Sequence, residues 1–218
     1  MKVEWLGHSA FLLQSTDGTK LLTDPYTSGS FGGAVAYNRI TDQADGVTVS
    51  HEHDDHCGWR ALPGSPQIIK GPGQHQVKTV AIAGFDSSHD DCGGAQRGRN
   101  TIYRFQIDGL VVCHCGDLGE RLGPDAVKAI GPVDVLLVPV GGNFTIDARA
   151  AHELASALSA RVIIPMHYKT VKLNFQIAGV DEFTRNRTNV RRIGKPGVEI
   201  TRETLPSGPE IWVLEHAL

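Results

Sequence analysis

Cysteine is scarce in this chain: only Cys57, Cys92, Cys113 and Cys115 among 218 residues. Four unevenly spaced thiols do not make the disulfide framework of a small secreted protein, and free thiols fit a reducing, cytoplasmic setting. Long apolar runs are missing too. None approaches the ~18 residues that a membrane-crossing helix needs. The first 13 residues carry Glu4 and His8 where a secretory signal would be unbroken and apolar, so they read as the opening strands of the fold. There is no basic excess: 21 Lys and Arg stand against 24 Asp and Glu, a net charge of −3, with no basic stripe. Neither a nucleic-acid partner nor a membrane partner is expected. A local basic pocket for an anionic small molecule is not excluded by that balance.

What is present is ordinary for a globular chain, 40% hydrophobic and 21% charged, and long enough to bury a core without staples. No repeat, low-complexity tract or linker divides it, so residues 1–218 read as one domain. Val3 and Trp5, then Phe11 and Leu13, alternate in the period of a strand. Asp17-Gly18 and Asp108-Gly109 are hairpin turns, the second between strands at 101–107 and 110–114. Val47 and Val49 mark another strand, and the apolar runs 80–83, 133–140 and 161–164, the last closed by Pro165, mark three more. Pro124 starts a helix that Gly131-Pro132 stops, and Asp147 caps a second one reaching Leu158. Hairpins first and alternating strands and helices later predict sheets covered by helices. Residues 172–195 read as an excursion over the site.

The densest chemistry is Ser50-His51-Glu52-His53-Asp54-Asp55-His56, three histidines and three acids in six positions directly after a strand. In extended backbone His51 and His53 would project to one side and share a metal ion, while Asp55 and His56, past a turn, would reach a second. Imidazole and carboxylate together suit zinc and its first-row neighbours. Asp117, His167 and His89 also follow apparent strands, so one rim can gather them. His75 and His114 compete with His89 as a third histidine; His114 is better placed as a wall or supporting residue, His75 on the surface. Asp24 is either the acceptor of an Asx turn before Pro25 or a carboxylate that steadies a histidine ligand. His8 either lines the pocket or simply packs. Cys113 and Cys115 share a strand face and read as small buried hydrophobes. Arg97, Arg99, Lys169 and Asn143 would serve an anionic substrate if they face the cleft.

His51-x-His53-x-Asp55-His56 resembles the hallmark of the metallo-β-lactamase superfamily. Trp5-Leu6-Gly7-His8-Ser9, Leu21-Leu22-Thr23-Asp24-Pro25, Gly116-Asp117-Leu118-Gly119 and Pro165-Met166-His167-Tyr168 resemble its ascorbate-6-phosphate lactonase-like branch and small metal-dependent hydrolases. The likeness runs from about Val3 to Thr170. It implies an α+β fold of layered type, a four-layer αββα sandwich with the metals at one edge between the sheets. It further implies that His51, His53 and His89 hold one ion, Asp55, His56 and His167 the other, and that Asp117 bridges. Asp24, His8 and His114 would stand behind as supports. The branch often forms homo-oligomers, which no residue of this chain shows by itself.

Two divalent ions, Zn2+ or else Mn2+ or Fe, would acidify a water from a pKa of ~15.7 to near 7. The resulting hydroxide would attack a small lactone, phosphorylated or not, or a phosphodiester, with Asp55 and Asp117 as the catalytic carboxylates. Two other classes share the pattern. A di-iron oxidoreductase on this fold typically carries glutamate where this chain has His53, together with a flavin-binding partner domain. A metal-binding sensor would keep the ligands without turnover.

Overall fold

Both Asp-Gly turns close hairpins. Asp108 and Gly109 have positive φ, 51° and 73°, the geometry whose twist matches the flanking strands. The computed structural model describes residues 1–218. In chain order the elements are β1 (Lys2–Gly7), β2 (Ala10–Gln14), β3 (Lys20–Thr23), a single turn α1 (Ser30–Gly33), β4 (Gly46–Val49), a 3-10 turn η1 (Gly58–Ala61), β5 (Gln67–Lys70), β6 (Gly73–Val77), β7 (Val80–Ser88), β8 (Arg99–Ile107) and β9 (Leu110–His114). Then come α2 (Pro124–Ile130), β10 (Val135–Pro139), α3 (Ala148–Ala157), β11 (Val162–Met166), α4 (Val180–Thr184), β12 (Val190–Arg192), β13 (Gly197–Glu199) and β14 (Glu210–Val213). Pro139 closes β10, but β11 runs through Pro165 to Met166, one residue short of His167.

The strands form two mixed sheets, β13-β1-β2-β3-β4-β5 and β12-β14-β11-β10-β9-β8-β7-β6. Val3, Trp5, Phe11, Leu13 and Leu21 face inward and join Ile82, Phe105 and Val112 of the larger sheet in one core. The alternate residues Leu12 and Leu22, with Leu6, Val47 and Val49, pack in a second cluster under Tyr26, Val35, Tyr37, Ile40 and Leu173. The middle of the smaller sheet is therefore buried on both faces, which is why β2 and β3 read as short apolar runs. Cys113 and Cys115 are fully buried in the main core and unbridged.

The helical cover is lopsided. α2 and α3 link the parallel strands β9, β10 and β11, and α4 packs on α3, where Phe183 stacks on His152 at 4.1 Å. Over the smaller sheet lie α1, η1, the loop from Tyr26 to Ile40 and the segment around Leu173. Gly29, Gly32 and Gly33, all at positive φ, leave no helix to form there. Residues 172–195 are three things rather than one excursion. Their first part joins the α1 loop through Ala36 N to Lys172 O and Asn174 N to Ala34 O, both 2.8 Å. The rest becomes α4 and the edge strand β12. No helix is long and apolar enough to cross a membrane.

Asp147 caps α3, its side chain accepting from Ala150 N at 2.8 Å. Asp147→Ala is expected to cost about 1 kcal/mol and Asp147→Asn much less. Urea unfolding curves of the two variants check this, and equal midpoints would contradict the cap.

Candidate metal centre

Six strands stop at one rim and each delivers a polar side chain just past its end. β1 leads to His8, β3 to Asp24, β4 to His51, β7 to His89, β9 to Asp117 and β11 to His167. Three of these strands belong to one sheet and three to the other, so the residues meet at the open edge of the sandwich. His8, Asp24 and His167 have φ of 52°, 39° and 50°. Left-handed backbone at non-glycine residues costs of order 1–3 kcal/mol each. That strain turns the chain sharply enough to point each side chain back between the sheets.

Donors with ligand atoms within 4.8 Å of one another form three sets: Asp24, His51 and His56, already tied together by hydrogen bonds through Ser50 and His56 Nδ1, and two open groups, His51, His53 and His89, and His8, Asp55, His56 and His167. Asp117 lies between them. Its Oδ2 is 3.3 Å from His89 Nε2 and 3.2 Å from His167 Nε2, and its Oδ1 is 3.1 Å from His56 Nε2. His51 Nε2 is farther, at 3.9 Å. All these residues are buried except His53, which faces solvent beside His51, their rings 4.6 Å apart. The backbone at His51 to His56 is a turn, closed by His56 N and Cys57 N on His53 O at 2.8 and 3.0 Å. The pair therefore meets across a bend and not along the extended chain that the spacing predicts.

His8 is a further departure. Expected as a lining or supporting residue, it stands inside the second group, with Nε2 3.1 Å from Asp55 Oδ2. The other two residues expected as supports do lie behind the groups. Asp24 Oδ2 accepts from His56 Nδ1 at 2.8 Å and from Ser50 Oγ at 2.5 Å, while Oδ1 accepts from Ser50 N at 2.8 Å. Because the Ser50 hydroxyl hydrogen goes to Asp24, its oxygen accepts from His51 Nδ1, 2.9 Å away. One carboxylate thus sets the tautomer of two histidines, leaving the Nε2 lone pairs of His51 and His56 facing the centre. His114 has both ring nitrogens engaged, Nε2 on Ser9 O and Nδ1 on Gly116 N, at 2.8 and 3.2 Å. His75, on the edge strand β6, joins neither group.

Sequence reasoning missed Ser50, Asn100 and Asp90. Asn100 Oδ1 accepts from Asp117 N at 2.9 Å, and its amide donates to Cys115 O, so it holds the turn that presents Asp117. Asp90 organises the loop after His89, accepting from the backbone N–H of Cys92, Gly94, Gln96 and Arg97 at 2.7 to 3.0 Å. Gly119 lies under this loop, where a Cβ would come within 2.3 Å of the His89 carbonyl carbon. The signals for Ser50 and Asp90 were their positions beside His51 and His89; Asn100 carries none. Of the basic candidates, Arg99 is held by Asp86 and by Ser88 Oγ, and Lys169 by Asn174 Oδ1 and Phe175 O. Asn143 donates to Gln176 O.

The electrostatics favour a cation. Asp24, Asp55 and Asp117 are all buried. Burial alone would raise their pKa values, yet the surrounding histidines hold all three below the usual carboxylate range. Burial, aided by His56, pushes His51 down to about 3; burial, aided by His167, pushes His8 down to about 4. His56 alone goes the other way: burial opposes its charge, but Asp117, Asp55 and Asp24 raise it well above the ordinary value. His51 Nε2, His56 Nε2, Asp55 Oδ1 and Asp117 Oδ1 are buried without a hydrogen-bond partner. Unpaired lone pairs beside three buried carboxylates are costly in a fold and are what a divalent cation satisfies. The donor set fits such an ion.

A sandwich of two mixed sheets with histidines and aspartates on its open edge is the metallo-β-lactamase fold. The family described as a beta-lactamase superfamily domain matches residues 2–167. The chain is 36% identical, with a TM-score of 0.81, to a solved structure of that superfamily from Thermotoga maritima, covering 98% of each chain. It is 32% identical over 197 residues to a UPF0173 metal-dependent hydrolase of Carboxydothermus hydrogenoformans, and 31% over 201 residues to one of Thermococcus kodakarensis. Both alignments span 78% of this chain and 85% of the relative. The chain belongs to the UPF0173 metal-dependent hydrolase family of the metallo-β-lactamase superfamily.

Asp24→Asn puts an amide N–H where Oδ2 accepts two donors, so His56 must turn its lone pair away from the centre. Metal affinity, measured by chelator competition, is expected to fall about 10–100-fold with the fold intact; unchanged affinity would refute the tautomer argument. For Asp90, burial raises the pKa but the backbone donors outweigh it and lower it. Its contribution to stability is then full above the unfolded value, ~3.9, and is lost as pH falls through the lower folded value. Asp90→Asn is expected to unfold at lower urea than wild type at pH 7, with the gap narrowing toward pH ~3. A gap independent of pH would count against this role.

Proposed function

We propose that this chain is a cytoplasmic metal-dependent hydrolase, one domain over residues 1–218, acting on a small anionic lactone or phosphodiester. The substrate class is that of the ascorbate-6-phosphate lactonase-like branch. His51, His53 and His89 would hold one divalent ion and Asp55, His56 and His167 a second, with Asp117 between; zinc suits these nitrogen and oxygen donors. The observation that carries the reading is the pair of donor groups sharing Asp117, with lone pairs buried and unpartnered. Bound there, divalent ions polarise a carbonyl or phosphoryl oxygen and make water acidic.

The chain's own residues do the remainder. Asp24, through His56 and Ser50, keeps two imidazoles in the tautomer a cation needs. Asp55 has Oδ2 held by His8 and Oδ1 without a hydrogen-bond partner, so the carboxylate that would hold the second ion would also orient a water against the substrate. Asp55 takes a proton from that water as oxygen adds to carbon or phosphorus, and returns it to the oxygen whose bond breaks. No serine or cysteine nucleophile is required; Cys113 and Cys115 are sealed in the core and Cys92 is at the surface. The names of the two UPF0173 relatives support hydrolysis.

Metal content by plasma mass spectrometry, on protein purified without chelator, is the test. About two zinc ions per chain are expected, with lactone or phosphodiester turnover that chelator removes and zinc restores. Iron without hydrolysis, or a folded protein holding no metal, would overturn the reading.

A further inference from the structure

Aromatic rings gather beside His8, on the solvent side of the second donor group. Three of the seven phenylalanines stand there, whereas Phe11, Phe105 and Phe183 are fully buried. Phe175 is the hub. Its ring meets His8 edge-on at 5.9 Å, Phe31 at 5.4 Å and Phe144 at 5.8 Å. Phe31 is 54% exposed, and its backbone is left-handed, with φ 51° and ψ 45°. A bulky residue held in that conformation and left half in water gains little for the core, so the strain belongs to what the ring faces.

Arg97 completes the ring of residues. Its guanidinium lies over Phe144, 5.5 Å from the ring centroid. It comes from the loop that begins at His89 and that Asp90 ties down through Arg97 N itself at 2.7 Å. Asp90 directs both carboxylate oxygens to backbone N–H groups and makes no ion pair with the guanidinium. Arg99 and Lys169, the neighbouring cations, are engaged as described. A guanidinium held over a ring face keeps N–H donors for a carboxylate or phosphate.

We propose that Arg97, with the rings of Phe144, Phe175 and Phe31, forms the recognition rim of this site. It selects molecules in which an apolar or aromatic portion joins the reacting group to a remote carboxylate or phosphate. This rests on the hydrolase reading for what happens at the histidines, but the selection itself is a matter of binding. The reacting group sits beyond Phe175, against His8 and its neighbours. The apolar portion lies along the three rings, and the anion meets Arg97.

The test compares 4-phenylbutyrate with its neutral isostere 4-phenylbutanamide, titrated by calorimetry into metal-replete wild type and Arg97→Gln. Wild type is expected to bind the carboxylate at least ~10-fold more tightly than the amide, and Arg97→Gln to lose about that factor at unchanged metal content. Phe175→Leu is expected to weaken both probes equally. A preference that survives in Arg97→Gln would place anion recognition at the metals, and no preference in wild type would remove it altogether. Either result overturns the proposal. Failure of the hydrolase reading is seen separately, as absence of turnover in metal-replete wild type, and leaves the binding comparison standing.

Discussion

Asp117 is buried and has no lysine or arginine beside it; its titratable partners are four histidines from three separate stretches of chain. With Asp24 and Asp55 it puts three carboxylates into the edge of a protein interior, where charge is expensive unless compensated. Much else in the structure is arranged around that cost. The histidine lone pairs point inward, the aspartates are kept ionised, and Asn100 and Gly116 hold the turn that aims Asp117. Gly116 has φ 54°, and a Cβ there would come within 2.4 Å of Asn100 Oδ1. That position therefore excludes any side chain.

Local features were legible in the sequence. The two Asp-Gly hairpins, the cap at Asp147 and the core strands depend on neighbours a few residues away, and so does the cluster from His51 to His56. That His89, Asp117 and His167 fall after strands was also readable, because strand ends in a sandwich share a rim. What could not be read depends on residues distant in sequence. Whether His8 stands behind the donors or among them is decided by Asp55, 47 residues away. The relay from Asp24 through Ser50 to His51 needs β3 and β4 side by side in parallel. The missing helices over the smaller sheet were hidden as well, since Tyr26, Val35, Tyr37 and Ile40 cover it without any helical period.

The same rim divides labour by depth. The deepest residues, Asp24 and His114, carry hydrogen bonds and no exposed surface. His53 stands at the solvent side. Beyond it the loops at 29–36, 89–98, 141–146 and 170–179 are irregular and glycine-rich in places, and all but 89–98 are joined to one another by backbone hydrogen bonds. Loops of this kind can vary in sequence without disturbing the strands beneath, which is how one scaffold comes to hold different substrates over one centre.

The scatter of the donors along the chain has a kinetic consequence. His8 and His167 are 159 positions apart and touch, with ring centroids 4.3 Å from each other. Neither open donor group is complete until both sheets have formed and docked, because each takes residues from both. In a zinc finger the cation organises a short loop and thereby drives folding. In this chain closure of the long loops comes first, at the slow rate that distant pairings impose. A cation that binds only the finished centre would act as a lock, slowing unfolding more than it speeds folding.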